Sequence, residues 1–175
     1  MGKLYDKMRE DLELRGMRAN TVSSYLRCAG IFARHVNRSP EQMGAPEIRQ
    51  FFLHLKDTRK VSAATSNVYG GAIRFLYEVT LNRPEEVNGL PRRKVPMRLP
   101  TILSGTEMER LLGATESLKH RAMTMLAYGA GLRVSEIAKL EVGDIDSKRM
   151  VIRIRDTKRG RERYVMLSPI LLQAL

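Results

Sequence analysis

Arg133 follows Gly129-Ala-Gly-Leu132 and opens a short apolar-periodic run, Val134–Leu140. Glycines let the backbone bend sharply, and the start of a helix leaves N–H groups unpaired. A planar, permanently charged fork at such a bend suits the clamping of two phosphate oxygens. The plainer reading is a surface arginine, although the helix dipole disfavours a cation at that end. Glu136, three residues on, shares its face with Arg133. It reads either as half of a solvated ion pair or as a brace for the arginine's rotamer. Lys158 lies in Thr157-Lys-Arg-Gly-Arg-Glu-Arg163, the expected tip of a basic β-hairpin. Such a tip either tracks a polyanion or carries a general acid that protonates a leaving oxygen in phosphoryl transfer. Arg159, Arg161 and Arg163 read as phosphate contacts rather than catalytic groups.

Other chemistries find no support in the sequence. It has no phosphate-binding glycine loop and no His-Glu-x-x-His string. Asp144 and Asp146 read as turn residues before a strand, not as a two-metal carboxylate cluster. His35-Val-Asn-Arg38 matches a His-x-x-Arg string but falls at the end of a helix far from Arg133, where chance is the better explanation. Cys28 is the only cysteine, which rules out an internal disulfide and a cysteine-based metal cluster. No metal and no cofactor is expected.

The chain has 175 residues, 43% of them hydrophobic, enough for a packed core. Its 31 Lys and Arg against 19 Asp and Glu give a formal charge of +12. That excess favours a polyanionic partner, since each cation placed near a phosphate releases counterions. Ribosomal and membrane-surface proteins share such a balance, so charge alone does not choose among them. No apolar run approaches the ~18 residues that would span a bilayer, and no signal peptide is evident, so the expected location is cytoplasmic.

The elements that must position these residues are mostly helical. Leu4, Met8 and Leu12 stripe a first helix over Gly2–Arg15. Asn20 reads as the N-cap of a second, with Val22, Tyr25, Leu26, Ala29, Phe32, Ala33 and Val36 inward. A third begins at Pro46. The fourth runs from Ser62 to Thr80 with Thr65, Val68, Ala72, Phe75, Leu76 and Val79 inward. Residues 82–100 then hold four of the seven prolines and no helical period, which reads as an extended linker. Its basic cluster Arg92, Arg93 and Lys94 is either a solvated tether or a strap across a DNA groove. Beyond it, Ser104 and Glu107 have capping-box spacing, and Leu118–Tyr128 is a further helix. Met150–Arg155 and Arg163–Leu167 form a hairpin, and a helix from Pro169 stops early in its apolar stripe, as if the sequence were cut. The expected divisions are a helical unit over 1–82, a basic linker over 83–100 and a second unit over 101–175. The fold class is mainly α with a small β-hairpin.

Two stretches resemble the tyrosine recombinases of the phage integrase and Xer type: Gly131-Leu-Arg-Val-Ser-Glu-Ile-Ala-Lys-Leu140 with Asp144-Ile, and Thr157-Lys-Arg-Gly-Arg-Glu-Arg-Tyr-Val-Met-Leu167. Asn20–Tyr25 and Ser62–Tyr77 are similar to that family's SAM-like core-binding domain. The resemblance implies a four-helix SAM-like domain followed by a truncated α+β catalytic domain, the two clamping double-stranded DNA, with self-association as a tetrameric synapse. It implies DNA cleavage and rejoining through a 3′-phosphotyrosine, without metal. Arg133 would stabilise the nonbridging oxygens, Glu136 would support it, and Lys158 would protonate the leaving 5′-oxygen. Arg18, Thr21, Ser24, Arg27, Ser66 and Asn67 would reach the major groove, and Arg92, Arg93, Lys94, Arg159 and Arg161 would hold phosphates.

The second-half His-x-x-Arg and the nucleophilic tyrosine do not occur after Leu167. The expectation is therefore an integrase portion that binds DNA but does not cleave it alone. A non-enzymatic DNA-binding protein derived from a truncated recombinase is the alternative. An RNA-binding module is weaker, because the ten Phe and Tyr fall mostly on core stripes.

Overall fold

The computed structural model describes residues 2–97, 99–155 and 162–175. The chain divides into two units, Met1–Arg98 and Leu99–Leu175.

The first unit is helical. Its elements are α1 (Lys3–Leu14), α2 (Ala19–Val36), α3 (Ala45–Asp57) and α4 (Ala63–Phe75), the last continued by a π-helical turn over Leu76–Thr80. The apolar stripes read from the sequence for α1 and α2 are buried as expected, with Met8, Leu12, Leu26 and Phe32 at 3% exposure or less. Phe32, Phe51 and Tyr77 meet at the centre, with Phe32–Phe51 centroids 5.2 Å apart. Each fully buried side chain of this size contributes about 2–3 kcal/mol. Tyr77 satisfies its buried hydroxyl by donating to the Pro40 carbonyl at 3.1 Å, and burial pushes its pKa up. Ser62 caps α4 by accepting from the Thr65 N–H.

Two expectations change here. The start of α2 is Ala19, capped by extended Arg18, so Asn20 stands inside the first turn. The expected Ala72, Phe75 and Leu76 are buried, but in the first two turns of α4 the buried face is displaced by about a residue. Ser66, Tyr69, Gly70, Ala72 and Ile73 face the core, whereas Thr65 is exposed and Val68 is 43% exposed. Small residues on that face let α2 come close: a Cβ on Gly71 would stand 2.8 Å from the Tyr25 hydroxyl.

The second unit contains α5 (Gly105–Gly113), α6 (Leu118–Gly129), α7 (Val134–Ile137) and α8 (Pro169–Ala174). Its antiparallel sheet has the order β1 (Ile145–Asp146), β2 (Val151–Ile154), β3 (Arg163–Met166). Ser104 and Glu107 form the expected capping box of α5. Leu126, Leu132, Ile152, Ile154, Leu167 and Leu171 make the core. Register pairs Ile154 with Arg163 and Ile152 with Val165. Directly opposed residues share a face of the sheet, so Arg163 is on the side of buried Ile152 and Ile154. No described helix is long and apolar enough to cross a membrane.

Candidate functional site

Gly131 adopts φ +63°, a left-handed conformation that a side chain resists. It turns the chain out of α6, through buried Leu132, into Arg133, which caps α7 in extended conformation. Glu136 then reaches back to accept the Arg133 backbone N–H at 2.9 Å. The same carboxylate accepts from Arg133 Nη1 at 2.7 Å. It also takes a bidentate pair from Arg163, Nη1 at 2.9 Å and Nη2 at 2.8 Å.

Four N–H donors thus converge on one carboxylate whose side chain is 2% exposed. The Arg163 bonds chiefly, with those of Arg133 behind them, hold the Glu136 pKa down to about 2 against the opposing cost of burial. Two guanidiniums share one anion, so the cluster keeps a net positive charge. Arg133 remains 57% exposed and Arg163 34% exposed at the side chain. The arrangement leaves a fixed, exposed guanidinium, and a fork of this kind matches carboxylate and phosphate oxygens alike.

Arg163 was expected to contact phosphate. Instead it is committed to Glu136, as its inward position on β3 requires. A strand-parity reading finds this, because a cation opposite buried Ile154 needs a carboxylate. Asp144 is likewise more than a turn residue. Its side chain is 5% exposed and it takes Arg155 Nε at 2.7 Å and Nη2 at 2.8 Å, while Arg155 also reaches Glu141 at 2.6 Å. Asp146 does fill a turn, accepting the N–H groups of Lys148 and Arg149. The carboxyl of Asp144 is held below its ordinary range, first by Arg155. β3 is therefore tied to the Arg133 segment through Arg163, and the end of β2 is tied to the turn at Glu141 and Asp144 through Arg155. Lys158, Arg159 and Arg161 lie outside the described residues.

In the helical unit, Arg18 and Arg27 are exposed and Thr21 and Ser24 half-buried. At 3.6 residues per turn, Arg27 is about half a turn around α2 from Arg18, so the four do not share one face. Ser66 is 4% exposed, and Asn67 spends its amide on the main chain of Arg93. Neither of these two side chains is placed to read a groove. Arg92 and Lys94 are exposed, whereas Arg93 is half-buried and directs Nη1 to the Val61 carbonyl at 3.4 Å. His35 of the His-x-x-Arg string stacks on His54 with centroids 4.2 Å apart, a packing role. Among the described residues no group of three His, Cys, Asp or Glu could hold a metal ion.

This fold and site define an integrase-type architecture: a SAM-like helical unit followed by a second unit of helices and a small sheet that carries the Arg133, Glu136 and Arg163 cluster. The phage integrase N-terminal SAM-like domain matches residues 4–86, and the phage integrase family matches residues 101–175. A Sinorhizobium fredii protein named integrase/recombinase y4qK is 42% identical over 178 residues, covering 100% of this chain and 57% of that protein. An Escherichia coli integrase/recombinase is 31% identical over 175 residues, covering 99% of this chain and 52% of its own. Two solved structures share the fold. The lambda integrase dimer bound to a COC′ core site has a TM-score of 0.72 at 18% identity, covering 93% of this chain and 47% of that one. The Tn1549 transposon integrase in complex with circular intermediate DNA gives 0.69 at 17% identity, covering 98% and 62%. The chain belongs to the tyrosine recombinase family of phage integrases. It spans about half the length of the curated relatives it matches.

Proposed function

We propose that these residues form the duplex-gripping domain and the first part of the catalytic domain of a site-specific DNA recombinase that works through a 3′-phosphotyrosine. The observation that carries the reading is the Glu136 carboxylate shared by Arg133 and Arg163. It orients Arg133 before any substrate arrives, so its charge is available to the transition state without reorganisation. In the reaction a tyrosine oxygen attacks phosphorus, the P–O5′ bond breaks, and the leaving 5′-oxygen takes a proton. Arg133 stabilises the charge on the nonbridging oxygens, Glu136 fixes its rotamer, and Lys158 supplies the proton.

The +12 charge and the exposed Arg92 and Lys94 support double-stranded DNA as partner. The relatives' names and the two DNA-bound neighbours of like fold point the same way. Self-association on DNA and a cytoplasmic location belong to the same reading. The nucleophile and the His-x-x-Arg of the family are not supplied by residues 168–175, so the 175-residue chain binds DNA and leaves it intact.

A gel-shift series on random duplex against single strand, run across salt concentrations, tests the assignment. Duplex binding is expected to weaken with salt, and Arg133→Ala to flatten the log–log slope by about 0.9. A slope indifferent to Arg133 removes it from the phosphate site. A covalent protein–DNA adduct formed by this chain would contradict the division of chemistry.

A further inference from the structure

Residues 83–93 do not leave the helical unit as a free tether. Arg83 donates to the Glu41 and Met43 carbonyls, both at 3.0 Å, and Val87 is 2% exposed. Arg74 donates to the Leu90 carbonyl. The last hold is at Arg93, where Asn67 Nδ2 donates to its carbonyl at 2.9 Å and Asn67 Oδ1 accepts its N–H at 2.9 Å.

An amide that bonds both the donor and the acceptor of one residue fixes that peptide segment as a strand partner would. The neighbours of the held residue are then confined in direction. Arg93 is half-buried while Arg92 and Lys94, on either side of it, are exposed. The basic cluster is therefore not three equivalent cations on a flexible linker. It is two outward cations with the residue between them pinned.

We infer that Asn67 is a positioning residue for DNA binding: it holds the chain at Arg93 so that Arg92 and Lys94 meet phosphates of the duplex, and it does not itself read a base. This role rests on the duplex-DNA reading above. It replaces the expectation that Asn67 reaches the major groove, since a side chain with both its polar atoms committed has little left to offer a base edge.

Two measurements on the full chain test it. Trypsin cuts after Arg92, Arg93 and Lys94, and a protease needs these residues free of their hold. Asn67→Ala is expected to speed cutting at this cluster by about tenfold or more while the melting temperature stays near that of the wild type. If that variant melts early, the near-isosteric Asn67→Asp, which keeps the acceptor and loses the donor, carries the comparison. An unchanged cutting rate overturns the clasp.

For DNA, the double variant Arg92→Gln/Lys94→Gln should reduce the log–log salt slope by about 1.8. Asn67→Ala should lower affinity on its own and add nothing to that double variant. An additive loss with unchanged proteolysis would mean that Asn67 touches DNA directly and would overturn the inference. If the wild-type chain fails to shift duplex at any salt, the DNA reading itself falls and this role falls with it. In that case the tryptic comparison still reports separately on the clasp.

Discussion

Replacing Glu136 with Gln removes one negative charge from between two guanidiniums and leaves the volume almost unchanged. The carboxyl has an ordinary value of 4.5 and is held at about 2 in the fold. At about 1.4 kcal/mol per pH unit, the difference corresponds to roughly 3 kcal/mol of folding free energy. Half-exposed Arg133 recovers some hydration when its partner is lost, so a net cost of about 2 kcal/mol is expected for Glu136→Gln. For a unit the size of residues 99–175 that lowers the melting temperature by roughly 8–16 °C. The folded value lies below the unfolded one. The carboxylate's contribution is therefore complete above about pH 4.5 and is lost as pH falls through about 2. Thermal unfolding of wild type and variant, followed by circular dichroism from pH 7 to pH 2, should show a gap that is constant down to about 4.5 and then closes. Other carboxylates titrate in both proteins and cancel in the difference. A gap of under 2 °C at pH 7, or one that persists unchanged at pH 2, would show that the four-donor arrangement does not hold this segment.

The remaining tests concern single contacts. Asp144→Asn should destabilise the second unit by about 2 kcal/mol, because Arg155 loses its bidentate anion; Asp146→Asn, whose side chain is 39% exposed, should cost under about 1 kcal/mol, and equal melting shifts would argue against the distinction. Gly71→Ala should lower stability by about 1 kcal/mol through the clash with the Tyr25 hydroxyl. In a Tyr25→Phe background the same change should stabilise by about 1 kcal/mol as helix propensity takes over, a reversal that denaturant unfolding would detect. Gly131→Ala should cost about 1–2 kcal/mol through its left-handed φ and should weaken duplex binding by misdirecting Arg133. A variant of unaltered stability would place the strain elsewhere.

What the sequence conveyed well was whatever repeats or sits at a fixed offset. The stripes of α1 and α2, the Ser104–Glu107 capping box and the two strands of the hairpin are short-range patterns, and they appear where the residues indicate. The first two turns of α4 were misread for a physical reason, whereas Ala72, Phe75 and Leu76 are buried as the sequence indicated. Close helix packing there uses Ser66, Gly70 and Gly71, which score as polar or neutral, and two tyrosines whose hydroxyls make them look exposed. The π-helical turn at Leu76–Thr80 then changes the period over the last five residues of the expected helix, so no single 3.6-residue period fits the stretch.

The site divides along the same line. Arg133 and Glu136 are three residues apart, and their pairing follows from helical geometry. Arg163 lies 27 residues from Glu136, and only the register that sets it opposite Ile154 turns it inward to the carboxylate. The Asn67 hold on Arg93 crosses 26 residues and joins a side chain to main-chain atoms, which carry no residue identity to be read. The proline content of residues 82–100 correctly excludes helix but says nothing about whether an extended segment is docked or free. Docking is decided by partners such as Asn67 and Arg74, polar residues on a helix whose surface role reads as solvation until the chain folds back onto it. The placement of Arg133 and of the residues around Arg93 thus depends on long-range polar bonds whose partners the sequence pattern does not name. Substitutions in Arg163 and Asn67 should consequently disturb function more than their polar, surface-like character in the sequence suggests.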